Sequence, residues 1–117
     1  MILHYMDKCI WEERKDKATW GKRNIEADGF IHCSQPELFW RLVPYFEEMK
    51  KKLVILCIDE KKLVSEVRYE TGDDSGICYP HVYGMINNDA VITVLPFLTD
   101  EKGTYIKNNE LLSIDDR

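Results

Sequence analysis

Leu53-Val54-Ile55-Leu56-Cys57-Ile58 is apolar at every position, on both faces of an extended chain. A run of that length bounded by polar residues predicts a central strand covered on both sides. Such a strand needs one layer above it and another below. Upstream, Ser34-Gln35-Pro36-Glu37 predicts a helix start, with Ser34 as cap, Glu37 three residues on and Pro36 in the first turn. Leu38, Leu42, Tyr45 and Met49 then recur at helical spacing, and Phe39, Val43 and Phe46 widen the apolar face. Pro44 falls inside that pattern and is expected to kink or divide the helix. Gly29 to Cys33 reads as a strand, and Ala18 to Asp28, which has no clean period, as a loop. Asp7 caps a short helix with Ile10, Trp11 and Arg14 on one stripe, and Ile2 to Met6 is an N-terminal strand.

Downstream, Asp59 ends the central run and Glu60 to Leu63 makes one helical turn. Ser65 to Glu70 alternates, placing Val67 and Tyr69 on one face and Glu66, Arg68 and Glu70 on the other. The cluster Thr71-Gly72-Asp73-Asp74-Ser75-Gly76 predicts a turn. Ile77 to Tyr79 is extended ahead of Pro80, Pro80 to Gly84 reads as a structured bend, and Val91 to Leu95 as a final buried strand. Strands outnumber helices, and the helices gather in the first half. That order predicts an α+β fold rather than a regular βαβ alternation.

The chain has 117 residues, enough for one domain with a single core. Its formal charge of −5, from 21 acids against 16 Lys and Arg, argues against a nucleic-acid binder that works by neutralising phosphates. The Leu53–Ile58 run is far too short to span a bilayer, and Met1 to Asp7 lacks the pattern of a signal peptide. No membrane partner is expected. Cys9, Cys33, Cys57 and Cys78 are widely spaced and form no C-x-x-C pair. They are expected as free thiols in a cytoplasmic protein.

Chemistry is sought at three histidines, each beside a tyrosine or a hydroxyl: His4-Tyr5, His32-Cys33-Ser34 and His81-Val82-Tyr83. A lone histidine in such a context is most simply a half-buried ring satisfied by a carbonyl. Three of them, with none in the polar loops, point to a shared cleft. By parity His32 shares a face with Phe30 and Ser34, and His4 with Ile2 and Met6. Three imidazoles with Glu70 would suit zinc or iron, yet no H-x-H or H-x-x-x-H pair supplies local ligands, so no metal is expected. In a sugar- or nucleotide-binding site, the histidines with Tyr5, Ser34 and Tyr83 would hydrogen-bond ribose or phosphate oxygens. Cys33 is disfavoured as a nucleophile because it points away from His32.

Gly29-Phe30-Ile31-His32-Cys33-Ser34, followed by Pro80-His81-Val82-Tyr83-Gly84, resembles the bacterial family catalogued as domain of unknown function 952. Leu3-His4-Tyr5, Trp11, the Leu53–Asp59 strand and Arg68-Tyr69-Glu70 match as well. The resemblance covers residues 1–98 as one domain and leaves 99–117 as a polar C-terminal tail, loose or marginally attached. It implies an ADP-ribosyltransferase-like fold, a split pair of antiparallel sheets with NAD bound between them. It further implies that His4 or His32 holds ribose, Ser34 and Tyr5 line the nicotinamide pocket, and Glu70 polarises the ribose 2′-hydroxyl. His81 adds a further polar group. Glu70 can equally be read as a solvated acid on the charged face of its strand. The leading expectation is a domain that binds NAD or a related nucleotide, as substrate and not as a fixed cofactor, and cleaves its nicotinamide–ribose bond through Glu70 and His32. A non-catalytic ligand-binding or protein-interaction module is the alternative, and a metal-dependent hydrolase a third reading.

Overall fold

In the computed structural model, which describes residues 1–71 and 75–117, strands outnumber helices as expected. The order is β1 (Ile2–Asp7), α1 (Lys8–Arg14), β2 (Thr19–Trp20), α2 (Lys22–Asp28) and β3 (Ile31–His32). A 3-10 helix over Pro36–Arg41 and α3 (Val43–Met49) follow. The rest is β4 (Leu53–Ile58), β5 (Glu66–Thr71), β6 (Cys78–Tyr83), β7 (Ile86–Asn87) and β8 (Val91–Pro96), with single 3-10 turns between and after. One sheet is ordered β1-β4-β8, a second β3-β6-β5, and a two-stranded ribbon pairs β2 with β7. All pairings are antiparallel. The protein is a small α+β domain, and none of its described helices is long and apolar enough to cross a membrane.

All six β4 residues are buried, and their alternation builds two cores. Val54, Leu56 and Ile58 face a cluster with Ile2, Met6, Trp20, Ile31 and Val82. Leu53, Ile55 and Cys57 face another with Leu3, Phe39, Phe46, Leu95 and Leu111. The first core is closed by the β3-β6-β5 sheet, the second by the Pro36–Met49 helices. Pro44 sits at the start of α3, so the proline divides the helix where the sequence left a kink or a break open.

Several expectations are corrected. Ala18 to Asp28 is not a loop: it forms β2 and α2, although Ile25 alone packs inward from α2. Two glycines in the left-handed region bracket this helix, Gly21 at φ 117° and Gly29 at φ 85°, with the Gly29 amide donating to the Ile25 carbonyl at 2.8 Å. Chain reversal at its ends, and not an apolar stripe, defines it. Ser34 does not cap a helix; Gln35 occupies that position and the Ser34 hydroxyl donates to the Gln35 carbonyl. Pro80 to Gly84 is no bend, because β6 runs straight through Pro80. The proline is tolerated at the end of the β3 ladder, where its carbonyl still accepts from the Cys33 amide at 3.0 Å. β8 is an edge strand with Ile92 and Val94 exposed, so it is not a buried one. Gly72 to Asp74, the centre of the expected turn, lie outside the described residues.

Residues 99–117 are tied down. Leu111 is buried in the second core, Tyr105 stacks on Phe97 at 4.7 Å, and the Arg117 amide donates to the Glu37 carbonyl. Asn108 is 2% exposed and donates to the Pro96 carbonyl. The few apolar residues of a polar segment suffice because the second core is open on that side.

Leu56 is fully buried between strands and Val94 is 38% exposed at an edge. Leu56→Ala is therefore expected to cost about 2–5 kcal/mol and Val94→Ala less than about 1 kcal/mol. Urea unfolding of both variants measures the difference, and equal losses would contradict the layered burial.

Candidate functional site

Sheet parity places the site. Ile31 and Val82 of β3 and β6, with Val67 of β5, point into the first core. Their neighbours therefore point to the other face. His32 stands opposite His81, His81 opposite Arg68, and Tyr79 opposite Glu70. That face forms one wall of a cleft of about 610 Å³, with Phe30, His32, Glu70, His81 and Tyr83 among its lining residues. Across it stand Tyr5 of β1 and Leu42, Tyr45 and Phe46 from the helical layer.

The aromatic rings are in contact on both walls. Phe30 stacks on His81 with centroids 4.0 Å apart and an interplanar angle of 15°, and His32 meets His81 edge-on at 5.3 Å. Tyr5 lies 4.2 Å from Phe46. Tyr45 is 63% exposed, leaving a large ring open to solvent at the cleft. Such rings favour offset or edge-on partners and offer flat surface to a planar ligand.

Glu70 carries the charge of the site. Its Oε1 accepts from the Tyr83 hydroxyl at 2.5 Å and from His81 Nδ1 at 3.0 Å. These bonds, Tyr83 first and His81 second, hold its carboxyl below the usual carboxylate range, so Glu70 is ionised at neutral pH. The same carboxylate raises the Tyr83 phenol and keeps it protonated. The Arg68 guanidinium lies 4.4 Å over the Tyr83 ring and is forked onto Glu66 through Nε and one terminal nitrogen, each at 3.1 Å. Glu70 is thus held by its own face of the sheet and is not merely solvated.

His4 and Ser34 lie apart from this cleft. Segment 31–34 joins the two sheets: Ser34 and Leu3 exchange backbone hydrogen bonds at 2.7 and 2.8 Å. The Cys33 amide bonds the Pro80 carbonyl, so the neighbouring His32–His81 pair is a non-hydrogen-bonded one and the His32 carbonyl turns away toward β1, where the His4 Nδ1–H donates to it at 2.6 Å. His4 packs at 5.4 Å against Trp20, and burial lowers its pKa from 6.5 to about 4. It is a neutral core histidine. Ser34 is 1% exposed and borders, with His4, a recess of only about 40 Å³. The structure brings Tyr5, His32, Glu70, His81 and Tyr83 together, and sets His4 and Ser34 behind them.

Among the described residues no group of three or more His, Cys, Asp or Glu is arranged to hold a metal ion. His4 faces the core while His32 and His81 face the cleft. Burial pushes the Cys33 thiol well above its ordinary value, which leaves it a small hydrophobe. Three lining aromatics, Tyr45, Phe46 and Tyr79, carry no sequence signal as site residues, Phe46 because it only widens the apolar face of its helix. Tyr45 fitted a helical stripe that periodicity assigns to the core, and Tyr79 read only as extended chain before a proline. Phe30 was legible, since it shares strand parity with His32.

The family model described as a protein of unknown function, DUF952, matches residues 6–94. In fold the chain is similar to the crystal structure of protein CC0527 from Caulobacter crescentus, at 21% identity over 94% of this chain and 96% of that one, with a TM-score of 0.70. A crystal structure of a double mutant of that protein gives 20% identity with the same coverage and TM-score. Its solution NMR structure gives 24% identity, 87% and 88% coverage, and a TM-score of 0.69. These likenesses speak to the fold alone. No curated protein matches the sequence.

The low His4 pKa has a sign. The unfolded chain takes up this proton near pH 6.5 and the folded one only near pH 4, so His4 stabilises the fold fully above pH 6.5. That stability is lost as pH falls from 6.5 to 4, by about 3 kcal/mol in all. The contribution of Glu70, whose folded value is depressed, goes only at lower pH, as the folded value is passed. Urea midpoints between pH 7 and 4 are expected to fall in the native chain and to flatten in His4→Gln. A native profile flat over that window would remove His4 from the neutral core.

Proposed function

This chain belongs to the DUF952 family of proteins of unknown function, and we propose that its cleft binds NAD or a related nucleotide and cleaves the nicotinamide–ribose bond. The observation that supports this reading is Glu70, an ionised carboxylate oriented by Tyr83 and His81 on the wall of an aromatic cleft. When nicotinamide departs with the electrons of the C–N bond, positive charge develops on the ribose ring. A fixed carboxylate nearby stabilises that charge and accepts a hydrogen bond from the 2′-hydroxyl. Tyr83 and His81 occupy Oε1, which leaves Oε2 for the ribose. The rings of Tyr5, Phe46 and Tyr45 offer nicotinamide a flat seat, and His32, exposed at the rim, hydrogen-bonds ribose or phosphate oxygens. Water attacks the ribose carbon, and its proton passes to solvent. This reading places the chain in an ADP-ribosyltransferase-like fold, two antiparallel sheets with a nucleotide cleft between them. Cys9, Cys33, Cys57 and Cys78 are free thiols, which suits a reducing compartment and supports action in the cytoplasm.

A second reading, a ligand-binding or protein-interaction module, is favoured by the engagement of Glu70 Oε1 with two protein donors before any substrate arrives. Incubation of the full chain with NAD, followed by chromatography of released nicotinamide, separates the two. Glu70→Gln is expected to lower turnover by about a hundredfold or more while leaving NAD affinity within a few-fold. His32→Ala and His81→Ala are expected to weaken binding seen by calorimetry, with and without EDTA alike. Heat with NAD but no nicotinamide release selects the binding module. No heat with NAD, ADP-ribose or nicotinamide overturns the nucleotide assignment.

A further inference from the structure

We propose that Arg14, Lys17, Lys22 and Arg23 form a second binding site, for a phosphate-bearing anion of the pyrophosphate class. They line a pocket of about 460 Å³ together with Thr19 and the floor residue Trp20. This volume lies within the range of small-molecule sites. The pocket holds four cations in a chain whose net charge is −5. Glu13 is the one carboxylate among its lining residues. Lys22 is loosely paired with Glu26 at 3.9 Å, both side chains being exposed. Among the described residues no ion pair engages Arg14, Lys17 or Arg23.

The pocket has an ordered frame. The Asn88 side-chain amide donates to the Arg14 carbonyl at 2.9 Å and to the Lys17 carbonyl at 2.6 Å, clamping the turn that ends α1. Its Oδ1 accepts from Trp20 Nε1 at 2.8 Å, so one residue fixes both the floor and the rim. The Arg14 guanidinium lies 5.9 Å from the Trp20 ring. Beneath it Gly21 packs directly on the first core, where a Cβ would come within 2.3 Å of Ile31 Cδ1, which seats the β2–α2 junction carrying Lys22 and Arg23. The last-turn dipole of α1 accounts for Arg14. It does not account for Lys17, Lys22 and Arg23 gathered around the same hollow. Several cations on an ordered frame recognise an oligophosphate by charge-assisted hydrogen bonds.

This site is distinct from the aromatic cleft but close to it: Met85 of the pocket is two residues from Tyr83 of the cleft, at most about 7 Å along the chain. The anion can therefore belong to a ligand of its own or to the phosphates of a nucleotide seated in the cleft. Titration of the full chain with inorganic pyrophosphate, followed by amide NMR shifts and calorimetry, tests the proposal. Shifts are expected at Thr19, Gly21 and Lys22, with an affinity that falls as salt rises. Arg23→Gln and Lys17→Gln are each expected to weaken binding about tenfold, whereas Lys51→Gln with Lys52→Gln, on exposed residues elsewhere, leaves it within twofold. Glu70→Gln leaves it unchanged, so failure of the nicotinamide-release assay and failure of this site are read separately. Competition by ADP-ribose that is lost in His81→Ala assigns the anion to the cleft nucleotide; competition kept in that variant, through the pyrophosphate of ADP-ribose itself, or independent binding assigns it to a second ligand, and each supports the site. Shifts confined to His32 and His81, or equal affinity in all variants, would overturn it.

Discussion

Burial of β4 on both faces is the constraint from which the remaining architecture follows. A strand that is apolar at six successive positions cannot leave either face to water without losing on the order of 25 cal/mol for each Å² exposed. Each face therefore recruits a layer. The Val54, Leu56 and Ile58 face takes the β3-β6-β5 sheet through Ile31 and Val82. The Leu53, Ile55 and Cys57 face takes Phe39, Phe46 and Leu111 from the helical layer and the C-terminal segment. β1 and β8 flank β4 to satisfy its backbone.

The cleft is a consequence of that arrangement. The second sheet spends its Ile31, Val67 and Val82 face on the core, and alternation leaves His32, His81, Glu70 and Tyr83 on the other. Segment 31–34 bonds to β6 on one side and to β1 on the other, which brings that polar face up against Tyr5 and the helical layer. His4 sits under this junction. Its bond to the His32 carbonyl satisfies a group that the β3–β6 ladder leaves unpaired, in a place where an unpaired carbonyl is costly. A histidine behind the site thus braces the strand that carries a histidine within it.

Similar residue types therefore hold dissimilar tasks. His4, His32 and His81 look alike in sequence, each in a strand-like or strand-flanking segment and near a hydroxyl or tyrosine. Burial against Trp20 makes the first a neutral core group, exposure at the rim leaves the second open to solvent, and Glu70 orients the third. The anion pocket shows the same dependence on context, because Asn88 reaches across some seventy residues to clamp the turn bearing Arg14 and Lys17.

Local patterns were legible where one physical rule acted alone. The unbroken apolar run of β4, the Asp7 cap, the division at Pro44 and the alternation of Glu66 to Glu70 each follow from periodicity or backbone chemistry within a few residues. So did the shared face of Phe30 and His32, and with it much of the cleft. Tertiary structure decided the cases in which a distant partner changes the cost of a conformation. α2 forms without an apolar stripe because two glycines and the packing of Ile25 hold it. Pro80 enters a strand because the β3 ladder ends beside it, and Ile92 and Val94 of β8 are exposed because neither core extends over the face that bears them. Residues 99–117 pack because a core left open on one side accepts Leu111 and Tyr105. Composition and spacing determine which residues must be buried. Which histidine lies behind the cleft and which lines it depends on what packs against each ring, and that is settled only when the two sheets meet.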